Sequence, residues 1–324
     1  MKKVLKALTV FLIVLLILAL GLFAFLKITG RKSDPSQVVR YETDNLFITG
    51  KTEQIAHRFG AGIAPEETRL ALENCLENPD IHTDIYEFDL HLTADDQMVL
   101  IHDQTLDRTS DAKAVFGKKG VTVREKTLAE LRTLNMGANF KAADGSFPYR
   151  DSDDPALTIL TLPEALDLLT AQGARRMSIE IKDHGADGMR GVDLLYRELA
   201  ARQLLETAIF SSFDSDVSAY AQQHYPDLLR SNTDAEAMQL YLAVLFGDED
   251  YVPPCRVFQL PYTPKYLNFG INFASADVLN LLHSHNVAVQ FWGGNTEEKM
   301  LYLRDMGADG VMTDYPDWMS RLYS

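Results

Sequence analysis

Nine short apolar segments, 54–57, 85–92, 98–102, 177–182, 208–212, 228–232, 257–260, 287–292 and 310–313, alternate along most of the chain with helical stretches. The clearest amphipathic ones are 66–77, 162–171, 189–201, 274–285 and 296–306. Strand-then-helix order sustained over about 270 residues is the pattern of a parallel α/β protein, and this length suits a closed eight-stranded barrel. With nine candidates for eight staves, one segment is expected to lie outside the barrel. A doubly wound open sheet is the weaker alternative, because no glycine-rich phosphate loop follows the first strand. The expectation is a TIM (β/α)8 barrel over 51–324, with an irregular stretch at about 104–160 forming a rim excursion of the kind in which substrate selectivity is built.

Ahead of the barrel, residues 7–26 are 20 uncharged residues in succession. At about 1.5 Å per helical residue such a run spans the roughly 30 Å of a bilayer's hydrocarbon core. The segment reads as one N-terminal transmembrane helix within a membrane anchor at 1–33, followed by a juxtamembrane linker at 34–50. A cleaved signal peptide is the competing reading, but 22–27 offers no small-x-small cleavage site. Lys2, Lys3 and Lys6 precede the run and Lys27, Arg31, Lys32 and Arg40 follow it, so the charge bias is nearly balanced. A short tail with three lysines is poorly suited to translocation, which favours a single-pass protein with its catalytic domain extracytoplasmic.

The net charge of the 324 residues is −15, and residues 1–33 hold six of the 31 basic residues and none of the 46 acidic ones. That leaves 25 basic against 46 acidic residues and puts the rest of the chain near −21. Nucleic acid is excluded as a partner by that sign, since phosphate backbones are held by basic surfaces. A phosphate-bearing small molecule in a locally basic pocket is not. Cys75 and Cys255 are too few for a disulfide framework and too far apart for a zinc motif, and read as two free thiols.

Charged residues inside apolar strands carry the chemistry, because burying a charge costs several kcal/mol unless it is paired or holds a metal. In 86–92 (YEFDLHL), Glu87 and Asp89 are two residues apart, which puts both carboxylates on one strand face. A divalent cation between them would relieve their repulsion; a solvated edge strand is the alternative. His57 and His102 each end an apolar strand, at the mouth where barrel active sites form, although a lone histidine there is commonly structural. In 178–182 (SIEIK), Glu180 and Lys182 share a face, either as an internal ion pair or as a third carboxylate and a fixed ammonium at the same mouth. Hard oxygen ligands point to one divalent cation, Mg2+ or Ca2+, rather than zinc. Arg58 and Lys182 point to an anionic, oxygen-rich substrate, hence phosphate.

The blocks IAHRFGAGIAPEET, EFDLHLTADDQMVLIHDQTLDRTS, SIEIK, SSFD, FWGGN and GADGVMTDYPD occur in this order across about residues 53–317. Together they resemble the glycerophosphodiester phosphodiesterase family, a metal-dependent TIM barrel that hydrolyses glycerophosphodiesters to glycerol 3-phosphate and an alcohol. The resemblance implies that His57 and His102 are an acid–base pair and that Glu87, Asp89 and Glu180 are metal ligands. It further implies that Arg58 and Lys182 contact phosphate, that Trp292 lines the glycerol side, and that the substrate's own hydroxyl attacks to give a cyclic phosphate that water opens. Three departures stand out: Phe59 where the family usually has Gly, Glu67 where it has Asn, and Gly293–Gly294 where it has Thr and an aliphatic residue. Phe59 directly follows the His-Arg pair and could narrow the mouth. Glu67 either adds negative charge near the site or faces solvent, and the two glycines are expected to loosen the turn after Trp292.

With a membrane anchor, the substrates within reach are glycerophosphodiesters, lysophospholipids or envelope glycerophosphate polymers. Two rivals remain: a phospholipase D-like lyase that stops at the cyclic phosphate, and a non-catalytic membrane-tethered binding protein.

Overall fold

A computed structural model describes residues 2–29, 33–248, 250–262 and 272–324, with side chains of 2–7, 10 and 23–29 outside that description. Its strands are β1 (Glu53–Ala56), β2 (Ile85–Leu92), β3 (Met98–Leu100), β4 (Met177–Ile181), β5 (Ala208–Ser211), β6 (Val257–Pro261), β7 (Ala288–Trp292) and β8 (Gly310–Thr313). They form one sheet in the order β5-β4-β2-β1-β8-β7-β6, every neighbouring pair parallel. β3 pairs antiparallel with β2 off this path, and is thus the segment outside the barrel.

The gap between β5 and β6 is filled by the predicted strand at 228–232, shortened to a single parallel bridge between Phe210 and Arg230. Phe210 N donates to Leu229 O (2.8 Å) and Ser231 N to Phe210 O (2.9 Å). On the other side Gln259 N reaches only a side chain, Asn232 Oδ1 at 2.7 Å. The nearly closed barrel is therefore a TIM barrel with eight staves, one of them joined by few bonds.

Strands in such a barrel are covered by helices outside and by each other inside, and β1, β2 and β8 are accordingly buried at every residue. The helices start where the sequence supplies caps. Thr161 with Glu164 and Thr233 with Glu236 form capping boxes on Leu162–Ala171 and Asp234–Phe246, and Thr68 caps Arg69–Glu77. The excursion packs Val99, Ile101, Leu106, Val121, Leu131 and Ile159 into a small core of its own beside β3.

The expected membrane anchor is corrected. Lys2–Thr29 is helical, but among the described residues no helix is long and apolar enough to cross a membrane. Ala7, Val10 and residues 23–26 of the predicted span lie outside the described side chains. The single-pass placement and the extracytoplasmic catalytic domain are withdrawn with it.

Candidate functional site

β1 ends in a tight coil in which Arg58, Phe59 and Gly60 all have positive φ (49°, 60° and 85°). A left-handed residue other than glycine costs roughly 1–2 kcal/mol, so the turn must be held from outside. Arg58 N donates to Glu87 Oε2 (2.9 Å), Gly60 N to His57 O (2.8 Å) and Glu67 N to Arg58 O (3.2 Å). Two residues on, a Cβ at Gly62 would stand 2.4 Å from the Tyr315 ring, so only glycine lets the coil lie against the loop after β8.

The coil aims His57 into a cavity of about 370 Å3 at the C-terminal ends of the strands. All eight residues singled out from the sequence, His57, Arg58, Glu87, Asp89, His102, Glu180, Lys182 and Trp292, line it. A larger cavity of about 650 Å3 sits at the opposite end, beside Gln54, Asp84 and Asp309. Its two histidines are tied to carboxylates, His82 to Asp84 (3.0 Å) and His283 to Asp309 (2.8 Å), and none of the eight residues reaches it.

Each catalytic-type histidine has its own carboxylate. His57 Nδ1 lies 2.5 Å from Asp314 Oδ1, and Asn295 holds Asp314 by donating Nδ2 to Oδ2 (2.5 Å) and accepting Asp314 N at Oδ1 (2.9 Å). His102 Nδ1 lies 2.7 Å from Asp103 Oδ1, and Arg108 Nε donates to Asp103 Oδ2 (2.7 Å). Burial lowers both imidazoles. For His57 the charges of Glu87 and Asp314 outweigh it and the ring is held above its ordinary value; for His102 burial prevails and the ring is pushed below.

Glu87 and Asp89 are almost fully buried, and the expectation that they share the inward face of β2 holds. Arg58 Nε stands 3.3 Å from Asp89 Oδ2, and Lys182 Nζ stands 2.8 Å from Glu180 Oε1 and 3.6 Å from Asp89 Oδ1. Burial, reinforced by Asp89, raises Glu87 to about 7 and Glu180 to about 8. Asp89 is pressed upward by burial, yet Lys182 and Arg58 bring it below its ordinary value. Among the described residues no three His, Cys, Asp or Glu side chains are gathered closely enough to hold a metal, and Lys182 already spans Glu180 and Asp89. The donor set nevertheless suits a hard divalent cation. Its oxygens are carboxylate only, and Asp89 Oδ2 and Glu180 Oε1 are buried facing their cations without a well-aligned hydrogen bond.

The three departures resolve differently from one another. Phe59 does not narrow the mouth: it is fully buried, 5.4 Å from the Phe88 ring, and absent from the cavity wall. Glu67 is buried behind β2, its Oε1 accepting Asp89 N at 2.6 Å, and burial followed by Asp89 pushes its carboxyl well upward. The turn after Trp292 is tied rather than loose. Gly294 N donates to Met312 O (3.2 Å) and Lys299 Nζ to Gly293 O (3.2 Å), and a Cβ at Gly294 would meet Val311 at 2.6 Å.

Sequence reading missed Asp314, Asn295, Asp103, Arg108 and Glu66. All five sat within the recognised blocks, and Asp103 and Asp314 stood directly beside strand ends, which was a usable signal. Glu66 and Arg108, 42 residues apart, were brought together by folding alone.

Fold and site define a TIM-barrel enzyme with acids, histidines and cations converging on one mouth. The Glycerophosphoryl diester phosphodiesterase family model matches residues 57–318, and the chain belongs to that family, which makes it a phosphoric diester hydrolase. A glycerophosphodiester phosphodiesterase of Bacillus subtilis is 25% identical over 320 residues, covering 94% of each chain. One from Bacillus altitudinis is 26% identical over 82% of this chain and 96% of its own. The human lysophospholipase D GDPD3 is 25% identical over 81% of each. Among solved structures, an Oleispira antarctica phosphodiesterase in complex with the product sn-glycerol-3-phosphate has a TM-score of 0.62 at 21% identity, over 85% of this chain and 98% of that one. A glycerophosphodiester phosphodiesterase from Agrobacterium tumefaciens has a TM-score of 0.61 at 20% identity, over 83% and 99%. At these identities the structural likeness speaks for the fold.

Proposed function

We propose that the protein hydrolyses a glycerophosphodiester to glycerol 3-phosphate and an alcohol, with His57 and His102 moving the protons. The observation that carries this reading is the convergence of both histidines, three carboxylates, Arg58 and Lys182 on one cavity of about 370 Å3. Arg58 and Lys182 hold the phosphoryl oxygens and spread the negative charge that develops on them. The opposite displacement of the two imidazoles supports a division of labour. His102, pushed toward its neutral form, takes the proton of the attacking hydroxyl, and His57, held toward its charged form, gives one to the leaving alkoxide. Glu87, Asp89 and Glu180 would hold one divalent cation, Mg2+ or Ca2+, whose Lewis acidity at a phosphoryl oxygen is the chemistry it supplies when bound. Trp292 lines the glycerol side.

The test is release of glycerol 3-phosphate from glycerophosphocholine, glycerophosphoethanolamine and glycerophosphoglycerol, with Mg2+, Ca2+ or EDTA, beside His57→Ala, His102→Ala and Glu87→Ala. Metal-dependent release that all three substitutions abolish is expected. Turnover that survives both histidine changes overturns the proton roles, and turnover indifferent to EDTA overturns the metal. A cyclic phosphate as final product would favour the lyase reading, and a transient one under single-turnover conditions the intramolecular route.

A lysophospholipid is the second reading. Phe213, which lines the same cavity and is 51% exposed, offers an apolar surface at the mouth, and the human relative is named a lysophospholipase D. Release of choline, the product common to lysophosphatidylcholine and glycerophosphocholine, separates the two, with a lower KM for lysophosphatidylcholine expected if an acyl chain is recognised.

A further inference from the structure

Arg108 ties the carboxylate beside His102 to the carboxylate beside Arg58, and it does so without entering the cavity. Its Nε and Nη2 donate to Asp103 Oδ2 and Oδ1 (2.7 and 3.0 Å), and its Nη1 and Nη2 donate to Glu66 Oε2 and Oε1 (2.7 and 2.6 Å). Both carboxylates are thus held by two-pronged bonds that a planar guanidinium makes and an ammonium cannot. Beyond them lie reacting groups: Asp103 Oδ1 is 2.7 Å from His102 Nδ1, and Glu66 Oε1 accepts Arg58 Nη1 at 3.2 Å. A continuous chain of polar contacts runs from His102 through Asp103, Arg108 and Glu66 to Arg58. Asp103, Glu66 and Arg108 all lie outside the wall of the cavity, so any effect they have on the reaction passes through His102 and Arg58.

We propose that Arg108 is a positioning residue for the reaction, its guanidinium clamping Asp103 and Glu66 so that the His102 ring and the Arg58 guanidinium are fixed toward the substrate. Glu66 follows β1, Asp103 follows β3 and Arg108 opens the rim excursion, so the clamp ties three segments at the mouth. The excursion thereby acts on the chemistry through one residue. Without the guanidinium, two carboxylates face each other with no cation between them, and the His102 ring loses the partner of its partner. The inference rests on the roles given above to His102 and Arg58.

The experiment measures kcat and KM for release of glycerol 3-phosphate by the full chain and by Arg108→Gln, Arg108→Lys, Asp103→Asn and the double variant Arg108→Gln/Asp103→Asn, with the melting temperature of each. Arg108→Gln is expected to lower kcat by about 10- to 100-fold, the scale of a small misplacement of a reacting group. The double variant is expected to fall no further than the more damaged single one, because both substitutions cut the same chain of contacts. Arg108→Lys, a point charge on a flexible stem, should recover part of the loss. If Arg108→Gln does not fold, Arg108→Lys and Asp103→Asn carry the same comparison. A kcat for Arg108→Gln within about threefold of wild type, or losses that multiply in the double variant, overturns the inference while leaving the proposed function intact. A wild type without turnover, or one indifferent to His102→Ala, overturns the reading of the site and this inference with it.

Discussion

Asp314→Asn changes one oxygen of a carboxylate to an amide nitrogen and leaves the shape of the side chain alone, so its effect isolates what the charge does for His57. The carboxylate has two obligations: Oδ1 meets His57 Nδ1 at 2.5 Å and Oδ2 accepts Asn295 Nδ2 at 2.5 Å. An amide has a single oxygen. If it serves Asn295, its NH2 faces the ring and forces the wrong tautomer; if it serves His57, two amide NH2 groups confront each other. A charge-assisted hydrogen bond is worth about 1.5–3 kcal/mol, and at 1.36 kcal/mol per decade its loss from the reacting state lowers kcat by about 10- to 150-fold.

The pH profile should move with it. Burial lowers the His57 ring, and Glu87 and Asp314 together lift it above its ordinary 6.5. Removing one of the two lifting charges brings the value down, so the alkaline limb of kcat, where the acid loses its proton, shifts to lower pH. The same raised value means that charged His57 stabilises the fold fully below pH 6.5 and that this contribution fades as pH rises through the folded value. Initial rates of glycerol 3-phosphate release over about pH 5–9 test both effects. A kcat within about threefold of wild type with an unmoved alkaline limb would refute the role assigned to the pair.

The buried carboxyls make a prediction about stability. Glu87 and Glu180 are raised to about 7 and about 8 from 4.5, so the folded state keeps protons that the unfolded chain sheds. The metal-free protein should therefore be most stable below about pH 4.5 as far as these groups are concerned. It should lose on the order of a few kcal/mol as pH rises to about 8, and Mg2+ or Ca2+ should restore melting temperature there and not at pH 5. Phe59→Ala removes a ring that is 0% exposed and should destabilise the protein by about 3–5 kcal/mol in urea titration, with kcat and KM of the folded fraction within about threefold of wild type. Trp292→Ala should raise KM by about tenfold with little change in kcat, since an apolar wall binds substrate and transition state alike; an equal fall in kcat would give Trp292 a part in the chemistry.

The barrel was legible because strands buried on both faces read as unbroken apolar runs, and most predicted segments became staves. Met98–Leu100 could not be told from a stave, since its antiparallel turn back onto β2 leaves no mark on its composition. The helix Asp234–Phe246 went unnoticed because DAEAMQLYLAVLF is apolar on nearly every side and shows no stripe. Charges set in apolar strands marked the cavity wall, and every residue chosen on that ground lies in it. Two of their supports carried no mark of the contact they make. Glu66 precedes a helix and Arg108 opens an irregular loop, where charged residues are ordinary, and only folding makes them neighbours at 2.6 Å.

Phe59 shows why a departure from a family pattern is not in itself a change of substrate. The position requires φ near 60°, which glycine adopts freely and phenylalanine does not. A left-handed non-glycine residue costs roughly 1–2 kcal/mol, while burying a phenylalanine side chain contributes about 1.5–3 kcal/mol. The ring is wholly buried against Phe88, on the far side of the backbone from the cavity, so strain in the turn is offset by packing behind it. The bond from Arg58 N to Glu87 Oε2 then keeps His57 and Arg58 at the mouth whichever residue follows them. Substrate selectivity has to be sought on the wall itself, at Phe213, Trp292 and Gly293, which line the cavity.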